Sequence, residues 1–339
     1  MSNSFAHDVL QPLVRGTDLE RDEARAALGE ILAGRVDGLL IASFLTALTS
    51  KGETVAEMTG FVDAMLEAAT TLDVTPEAID IVGTGGDQLH TVNVSTMAAL
   101  AVAGCGVPVA KHGNRAASSS VGSADVLEAL GVRLDVSPEV ITASLTQARI
   151  AFLFAPTYHH ALAHLGPIRR ALGFRTIFNV LGPLANPARV RRSLIGVAQR
   201  HLLDPMAEVL RARGVQRAVL VHGDDGLDEV SLGTTTSLHT VTPAGVDFSV
   251  IDAGELLGVR HDVSAIRGGD TVANVAVVRR FLDGVAGPVM DVVCANAGLA
   301  LVVAGHAATL EEGFVQARES AVNGHAATAL QRLVEVSNS

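Results

Sequence analysis

"AIDIVGTGGDQLHTVNVST", residues 78–96, changes the character of the sequence. A short apolar run ends at a glycine, three glycines fall within four residues, and a polar loop then leads into an Ala-rich helical pattern. The apolar run is typical of a buried β-strand. A strand that passes through a tight turn into a helix is typical of a parallel sheet.

The sequence on either side of this stretch predicts two parts. Residues 1–72 show only helical spacing of apolar residues, whereas short apolar runs alternate with helical patterns afterwards. Residues 232–270 break that alternation and predict antiparallel strands at a sheet edge. We therefore predict an α/β fold: a small all-helical domain, residues 1–72, and a large α/β domain, residues 73–339, whose mostly parallel central sheet is flanked by helices. The segment around 160–187 is expected to join the helical domain.

Composition excludes several classes of partner. The chain has 339 residues, 48% of them hydrophobic, which is enough for a sizeable core. A net charge of −11 disfavours nucleic acid and anionic membranes, and no apolar segment is long enough to span a bilayer. The N-terminus lacks a signal-peptide pattern, and Cys105 and Cys294 stand in apolar helical stretches, as free thiols do in a reducing compartment. We predict a cytoplasmic protein without a nucleic-acid or membrane partner.

The glycine-rich loop could bind phosphate. Gly83, Gly85 and Gly86 permit a tight turn and bring backbone N–H groups close to a ligand. Asn93 and Ser95 stand where the next helix begins, and a helix N-terminus attracts phosphate. The loop has neither the GxGxxG pattern nor the Lys-Ser/Thr of a Walker loop. A tight strand-to-helix connection with a polar cap therefore stays open as the second interpretation.

A second polar stretch, "KHGNRAASSSVGSAD", covers residues 111–125. Lys111 and Arg115 can neutralise phosphate charge, and the serine hydroxyls can donate hydrogen bonds to its oxygens. Those serines are Ser118, Ser119, Ser120 and Ser123. The strand "VPVA" delivers Lys111 to the carboxyl edge of the sheet, where ligands bind in open α/β folds. Because two polar loops follow successive strands, they indicate one wall of a site for a phosphorylated sugar. The alternative is a solvated loop with Ser123 as a helix N-cap.

The acidic stretch "HGDDGLDEVSL", residues 222–232, suits a magnesium ion. Four carboxylates fall within six residues, directly after a predicted strand. Mg²⁺ is usually held by one or two carboxylates together with substrate phosphates. Asp228 and Glu229 adjoin the apolar "VSL" and are the candidates, whereas Asp224 and Asp225 have the pattern of a solvated turn.

A basic segment, residues 159–187, follows in the chain. Arg169 and Arg170 are adjacent and cannot share a helix face, so we expect one to reach the site and the other to face solvent. His160 and His164 form only an i, i+4 pair without an acidic partner, which argues against zinc. "FNVLGPLANP" is predicted to be a rigid non-helical connection.

In combination, these motifs resemble the anthranilate phosphoribosyltransferase family. "GTGGD", "NVST", "KHGNRAASS", "GSADVLEALG", "RTIFNVLGPLANP" and the "LDE" turn occur in the family's order across residues 10–330. The resemblance implies a homodimer formed through the helical domain. It also implies a Mg²⁺-dependent enzyme of tryptophan biosynthesis. Its reaction transfers the phosphoribosyl group of 5-phosphoribosyl 1-pyrophosphate (PRPP) to the amine of anthranilate, giving N-(5-phosphoribosyl)anthranilate and pyrophosphate.

The resemblance also implies roles for individual residues. PRPP would contact Gly83, Gly86, Asp87, Thr91, Asn93, Val94, Ser95, Thr96, Lys111, His112, Gly113, Asn114, Arg115, Ser118, Ser119 and Ser123. Anthranilate would contact Gly83, Asn114, Arg169 and Gly182. Mg²⁺ would be held by Ser95, Asp228 and Glu229. Because an arylamine is neutral at pH 7, no single general base is expected, and Lys111, Asp228 and Glu229 would act electrostatically.

One motif departs from the family pattern, and two alternative functions are less consistent with the sequence. "HHAL", residues 159–162, stands where the family commonly has "HPAM", at the start of the helix that bears Arg169. A pyrimidine nucleoside phosphorylase shares the "GSADVLEALG" pattern, but "GTGGD" and "LDE" argue against it. A non-catalytic ligand-binding or nucleic-acid-binding relative is disfavoured by Lys111, Asp228 and Glu229 and by a pI near 5.5.

Overall fold

The computed structural model describes residues 2–72, 74–116 and 121–339. Its α-helices are α1 (Ser2–Phe5), α2 (Gln11–Val14), α3 (Arg21–Leu32), α4 (Gly38–Lys51), α5 (Val55–Ala68), α6 (Val94–Gly104), α7 (Ser123–Ala129), α8 (Pro138–Gln147), α9 (Ala155–Tyr158), α10 (Leu165–Leu172), α11 (Phe178–Leu181), α12 (Leu203–Ala212), α13 (Ala253–Leu256), α14 (Thr271–Leu282), α15 (Pro288–Ala304), α16 (Leu310–Val322) and α17 (His325–Ser337). A π-helical turn covers Ala6–Leu10, and 3-10 turns cover His160–Leu162, Gly182–Leu184, Arg200–Leu202 and Val263–Ile266. Within the described ranges, no helix has the length and apolar character needed to cross a membrane.

A seven-stranded sheet organises the larger part of the molecule, in the order β3-β2-β1-β4-β5-β6-β7. Its strands are β1 (Ile79–Gly83), β2 (Val109–Gly113), β3 (Ile150–Phe154), β4 (Arg192–Gly196), β5 (Arg217–Gly223), β6 (Thr236–Thr242) and β7 (Gly245–Ile251). Strands β1 to β5 are parallel, and β6 and β7 are antiparallel at one edge. The predicted fold class is confirmed, including the antiparallel edge. Because the five parallel strands end on one side, their loops share one edge of the sheet.

Before the first strand the described chain is helical, as predicted. Helix α5 begins with a capping box in which Thr54 and Glu57 each accept the other's backbone N–H, at 3.2 and 2.8 Å. The apolar faces of these helices share one core with Leu165, Ile177 and α12, which rests on the sheet. The segment around 160–187 therefore packs against the N-terminal helices. The domain boundary at residue 72 stays a prediction.

Small residues cover the other face of the sheet. The Ala-rich helix α6 is buried, and α15, α16 and α17 pack on it. A Cβ added to Gly104 would lie 2.2 Å from the Ser320 hydroxyl, and one added to Gly298 would lie 2.6 Å from the Phe314 nitrogen. These glycines let neighbouring helices approach closely, which explains how a chain with 3% aromatic residues still forms a dense core.

Two local predictions about the basic segment were wrong. Helix α10 begins at Leu165 rather than near His159, because Pro167 is tolerated only in a first turn. "FNVLGPLANP" is not wholly non-helical. It forms the single turn α11 followed by the 3-10 turn Gly182–Leu184, and Pro183 again falls in a first turn.

The predicted N-cap of α7 was also wrong. Gly122 occupies the N-cap position, and Ser123 is the first helical residue. The Asp125 carboxylate accepts hydrogen bonds from the backbone N–H groups of Gly122 at 2.9 Å and Ala116 at 3.1 Å. An acidic side chain in the first turn thus replaces the serine as the capping group.

Candidate functional site

A cavity of about 310 Å³ opens at the carboxyl ends of β1 and β2. All predicted site residues within the described ranges line it: Gly83, Gly86, Asp87, Thr91, Asn93, Val94, Ser95, Thr96, Lys111, His112, Gly113, Asn114, Arg115, Ser123, Arg169, Gly182, Asp228 and Glu229. Ser118, Ser119 and Ser120 lie outside the described residues. Four stretches that are far apart in the sequence therefore converge on one cavity.

The glycine-rich loop after β1 adopts a left-handed backbone. Gly85 and Gly86 have φ values of 62° and 78°, and Gln88 and His90, which are not glycines, have 62° and 53°. Left-handed φ costs a non-glycine residue about 1–2 kcal/mol, so this loop needs external support. One support is the hydrogen bond from the Gly85 N–H to the Asp228 carboxylate, at 3.0 Å.

Asp228 of the acidic turn packs against two glycines at the ends of neighbouring strands. Gly83 and Gly196 end β1 and β4 and are partners in the strand register. A Cβ added to Gly196 would lie 1.6 Å from the carbonyl oxygen of Asp228, and one added to Gly83 would lie 2.8 Å from its carboxylate. We call Gly83 and Gly196 the glycine notch, because only residues without a side chain admit Asp228 at this depth.

The carboxylates beside the glycine notch are buried close to one another, so their negative charges repel. Burial, together with the neighbouring charge of Asp87, raises the pKa of Asp228 to about 7. Burial and the charge of Asp228 raise the pKa of Glu229 well above its usual value, although Lys111 opposes the shift. One carboxylate oxygen of Asp87 is buried and has no hydrogen-bond partner in the part of the chain that the structure describes. Such a group is stabilised by a cation.

Protein groups alone do not complete a metal site in the described part of the chain. No three His, Cys, Asp or Glu side chains among those residues form a cluster that could hold an ion. Magnesium sites usually have one or two carboxylates, with water and substrate phosphates as the other ligands. Asp228 and Glu229, two carboxylates at the cavity, fit that kind of site.

Lys111 lies deeper than its place in the sequence suggested. It is the central residue of β2 and is 2% exposed. Its ammonium donates hydrogen bonds to the Ile81 carbonyl and, at 3.2 Å, to the Ser95 hydroxyl. Burial lowers the pKa of Lys111, whereas the charges of Asp80 and Glu229 oppose the shift. The cation therefore lies under the cavity floor.

A buried carboxylate close enough to act on the charge of Lys111 was not predicted from the sequence. Asp80 is buried within β1, and its carboxylate accepts hydrogen bonds from the His112 N–H at 3.1 Å and the Asn186 amide at 2.8 Å. Burial raises the pKa of Asp80 to about 6, although Lys111 opposes the shift. A carboxylate inside the apolar run "AIDIVG" was the available sign, since buried charges need partners.

His112 contributes a neutral imidazole to the cavity wall. Its Nδ1 donates to the Gly182 carbonyl at 3.2 Å, and its buried Nε2 has no partner in residues 2–72, 74–116 and 121–339. Burial, together with the nearby His159, lowers the pKa of His112 to about 3. The ring therefore presents an unused acceptor nitrogen.

The arginines of the site differ in what they contact. Arg169 lines the cavity, and its guanidinium lies 5.3 Å from the centre of the Phe178 ring. Burial lowers the pKa of Arg169, and no carboxylate of the described residues forms an ion pair with it. Arg170 is exposed, so only one of the two adjacent arginines reaches the cavity, as expected.

Arg115 is already engaged, which its sequence context did not indicate. Its guanidinium forms ion pairs with Glu128 at 2.7 Å and Asp125 at 3.2 Å, and it lies 5.5 Å from the centre of the Phe154 ring. To neutralise phosphate, Arg115 would have to leave these partners. Arg175 was not predicted at all, yet it donates two hydrogen bonds to the Gly85 carbonyl at 3.1 Å.

The outer carboxylates of the acidic turn have local partners. Asp224 forms an exposed ion pair with Arg200 at 2.7 Å. Asp225 accepts a hydrogen bond from the Ser231 hydroxyl at 2.7 Å. They complete the turn, whereas Asp228 and Glu229 face the cavity.

Comparison with known proteins agrees with this architecture. The helical bundle domain of a glycosyl transferase family matches residues 7–69, and the a/b domain of a glycosyl transferase family matches residues 75–327. An anthranilate phosphoribosyltransferase of Thermomicrobium roseum is 47% identical over 97% of this chain and 96% of its own length.

Solved structures give the same result. The anthranilate phosphoribosyltransferase of Thermus thermophilus matches with a TM-score of 0.92 at 41% identity, covering 98% of this chain and all (100%) of that one. The enzyme of Saccharomyces cerevisiae in complex with PRPP and Mg matches with a TM-score of 0.90 at 27% identity, covering 99% of both chains. The chain therefore belongs to the anthranilate phosphoribosyltransferase family.

Proposed function

We propose that this protein transfers the phosphoribosyl group of PRPP to the amine of anthranilate, releasing pyrophosphate, as a step of tryptophan biosynthesis. One observation carries the proposal. A single cavity joins buried carboxylates and a glycine-rich loop to Arg169, which lies on an aromatic ring and has no ion-pair partner among the described residues. The carboxylates and the glycine-rich loop suit a polyphosphate with its metal ion. The arginine and the aromatic ring suit an aromatic carboxylate.

On the PRPP side, the chain supplies charge and backbone donors. The leaving pyrophosphate gains negative charge, and α6 begins in the cavity wall, where Asn93 and Ser95 lie, so the positive end of the helix dipole is at the cavity. Lys111 adds a buried positive charge that bulk water screens little.

Magnesium fits the carboxylates on this side. Asp228 and Glu229 would hold it, with Ser95 and the unpartnered oxygen of Asp87 close to the same cavity. When bound, Mg²⁺ would stabilise the charge that develops on the departing pyrophosphate.

On the anthranilate side, the residues of the cavity position the substrate and do not need to deprotonate its amine. Arg169 can pair with the carboxylate, while Phe178, Gly182 and Pro183 form an apolar wall for the ring. The neutral arylamine needs no strong base, and the low pKa of His112 leaves that residue as a hydrogen-bond acceptor. Bringing the amine close to C1 of the ribose would supply much of the rate gain.

We further propose a cytoplasmic homodimer built through the helical domain, residues 1–72, with residues 73–339 as the substrate-binding domain. Val14 and Leu39 on these helices are 70% and 76% exposed, which supports an apolar contact there. Light scattering on the purified protein would test the dimer, and Leu39→Glu should shift it to monomer.

The decisive experiment follows the fluorescence of anthranilate in a mixture of protein, PRPP and Mg²⁺. We expect the fluorescence to fall and pyrophosphate to accumulate in equal amount. No change at any protein concentration would refute the proposed reaction, and the same assay with inorganic phosphate and a pyrimidine nucleoside tests the phosphorylase alternative.

A further inference from the structure

Arg175 supports the glycine-rich loop from outside the cavity. Both Nη1 and Nη2 donate to the carbonyl oxygen of Gly85, each at 3.1 Å. The side chain is half-buried, and no carboxylate of the described residues pairs with it. Within the described ranges this guanidinium donates its hydrogen bonds to one backbone carbonyl, which indicates that the position of this peptide matters.

The peptide groups around Gly85 are thus held from two directions. The Gly85 N–H donates to Asp228 at 3.0 Å, while its carbonyl accepts from Arg175. These contacts flank a loop that contains two non-glycine residues, Gln88 and His90, with left-handed φ. Because that backbone is unfavourable by itself, removing Arg175 should let the loop relax.

Arg175 contacts a different side of the site from its neighbours in sequence. It lies in the link between α10, which bears Arg169, and α11, which bears Phe178. The link thus joins two residues of the proposed anthranilate side, and within this region the Thr176 N–H donates to the Asn179 side chain at 3.1 Å. The guanidinium of Arg175 nevertheless contacts the loop on the PRPP side.

We propose that Arg175 is a positioning residue for PRPP, although its neighbours in sequence, Arg169 and Phe178, lie on the anthranilate side. Through the Gly85 carbonyl it holds the glycine-rich loop in the conformation that receives the phosphates. This inference rests on the proposed function, because it assigns one more residue to the same site.

Three variants test it: Arg175→Ala, Arg175→Lys and, as a matched control, Arg170→Ala, which removes an exposed cation from the same segment. Arg175→Ala should raise the KM for PRPP about tenfold, equivalent to about 1.4 kcal/mol, and change the KM for anthranilate by less than about twofold. Arg175→Lys should recover part of the loss, since an ammonium can still donate to one carbonyl. Arg170→Ala should match the wild type.

Calorimetry with Mg²⁺ and inorganic pyrophosphate provides a readout that needs no turnover. Arg175→Ala should weaken pyrophosphate binding by a factor similar to its effect on PRPP. A lower unfolding temperature with unchanged PRPP and pyrophosphate constants would overturn the proposal and leave Arg175 a structural tie. Equal losses for both substrates would overturn it as well. If Arg175→Ala does not fold, Arg175→Lys decides by the same criteria.

The two proposals fail differently. A wild-type protein that binds Mg²⁺ and pyrophosphate but never consumes anthranilate refutes the proposed reaction, while the pyrophosphate arm still tests Arg175. A wild-type protein that turns over while Arg175→Ala keeps normal constants refutes only the role of Arg175.

Discussion

Arg169→Ala should separate the two substrates. The Arg169 guanidinium is largely withdrawn from water, lies 5.3 Å from the Phe178 ring centre and has no carboxylate partner within the described chain. Burial without a partner lowers the pKa of this group, so an incoming carboxylate gains a cation that is already desolvated and oriented.

The magnitude follows from that pairing. A hydrogen bond to a charged group contributes about 1.5–3 kcal/mol, so the KM for anthranilate should rise roughly ten- to a hundredfold. The KM for PRPP should change much less. Arg169→Lys should fall between the two proteins, because lysine keeps the charge but loses the fork and most of the ring contact. The stability of the folded protein should hold, since Arg169 forms no ion pair with any residue that the structure describes.

Steady-state kinetics with each substrate varied in turn is the assay. Inhibition by benzoate, which has the carboxylate but no amine, should weaken by the same factor as the anthranilate KM rises. Arg170→Ala is the matched control and should behave as wild type. Equal effects on both substrates, or undiminished benzoate inhibition, would show that the carboxylate binds elsewhere.

Three further outcomes are expected. The double variant Asp228→Asn with Glu229→Gln should have no activity. Its unfolding temperature without Mg²⁺ should nevertheless rise, because the substitutions remove the repulsion between buried carboxylates. If Mg²⁺ and pyrophosphate stabilise the variant as much as the wild type, the metal assignment is refuted. Gly85→Val should fold, because no atom of the described residues lies within 4 Å of its added Cβ. Its φ of 62° is unfavourable for valine, however, so the PRPP affinity measured by calorimetry should collapse. His112→Asn keeps an N–H donor for Gly182 and removes a group whose folded pKa, about 3, lies below its ordinary value of 6.5. The stability that neutral His112 gives is present above pH 6.5 and is lost as the pH falls towards 3. Between pH 8 and pH 5 the free energy of unfolding, measured by denaturant titration, should therefore fall by about 2 kcal/mol more in the wild type than in the variant. Parallel pH profiles of the two proteins would contradict the assignment.

Much of the architecture could be predicted because the strands are short, apolar and closed by glycines or polar loops. "AIDIVG" and "AVLVHG" became β1 and β5, and the carboxyl-edge rule then brought the loops after them together. Local spacing could not reveal that β4 pairs with β1, because β2 and β3 lie between them in the chain and no turn signal spans such a separation.

The failures at the site have one physical origin. Whether Asp80 is buried and paired depends on Lys111 and Asn186, which lie in other elements. Arg115 was expected to be free for phosphate, but its engagement with Glu128 depends on how α7 packs beside its loop. The sequence shows which side chains can carry charge, whereas tertiary contacts decide which charges are already satisfied.

The glycine notch makes the position of the metal-binding carboxylates a property of the backbone. Asp228 lies against main-chain atoms at the ends of two paired strands, so no rotamer of a neighbouring side chain sets its depth. The active site should therefore tolerate wide variation in its hydrophobic surroundings. A library that exchanges aliphatic residues beneath the sheet should return many variants with native metal affinity, while a single methyl group at position 83 or 196 should eliminate it. Mutational robustness and extreme local sensitivity would then coexist within a few ångströms.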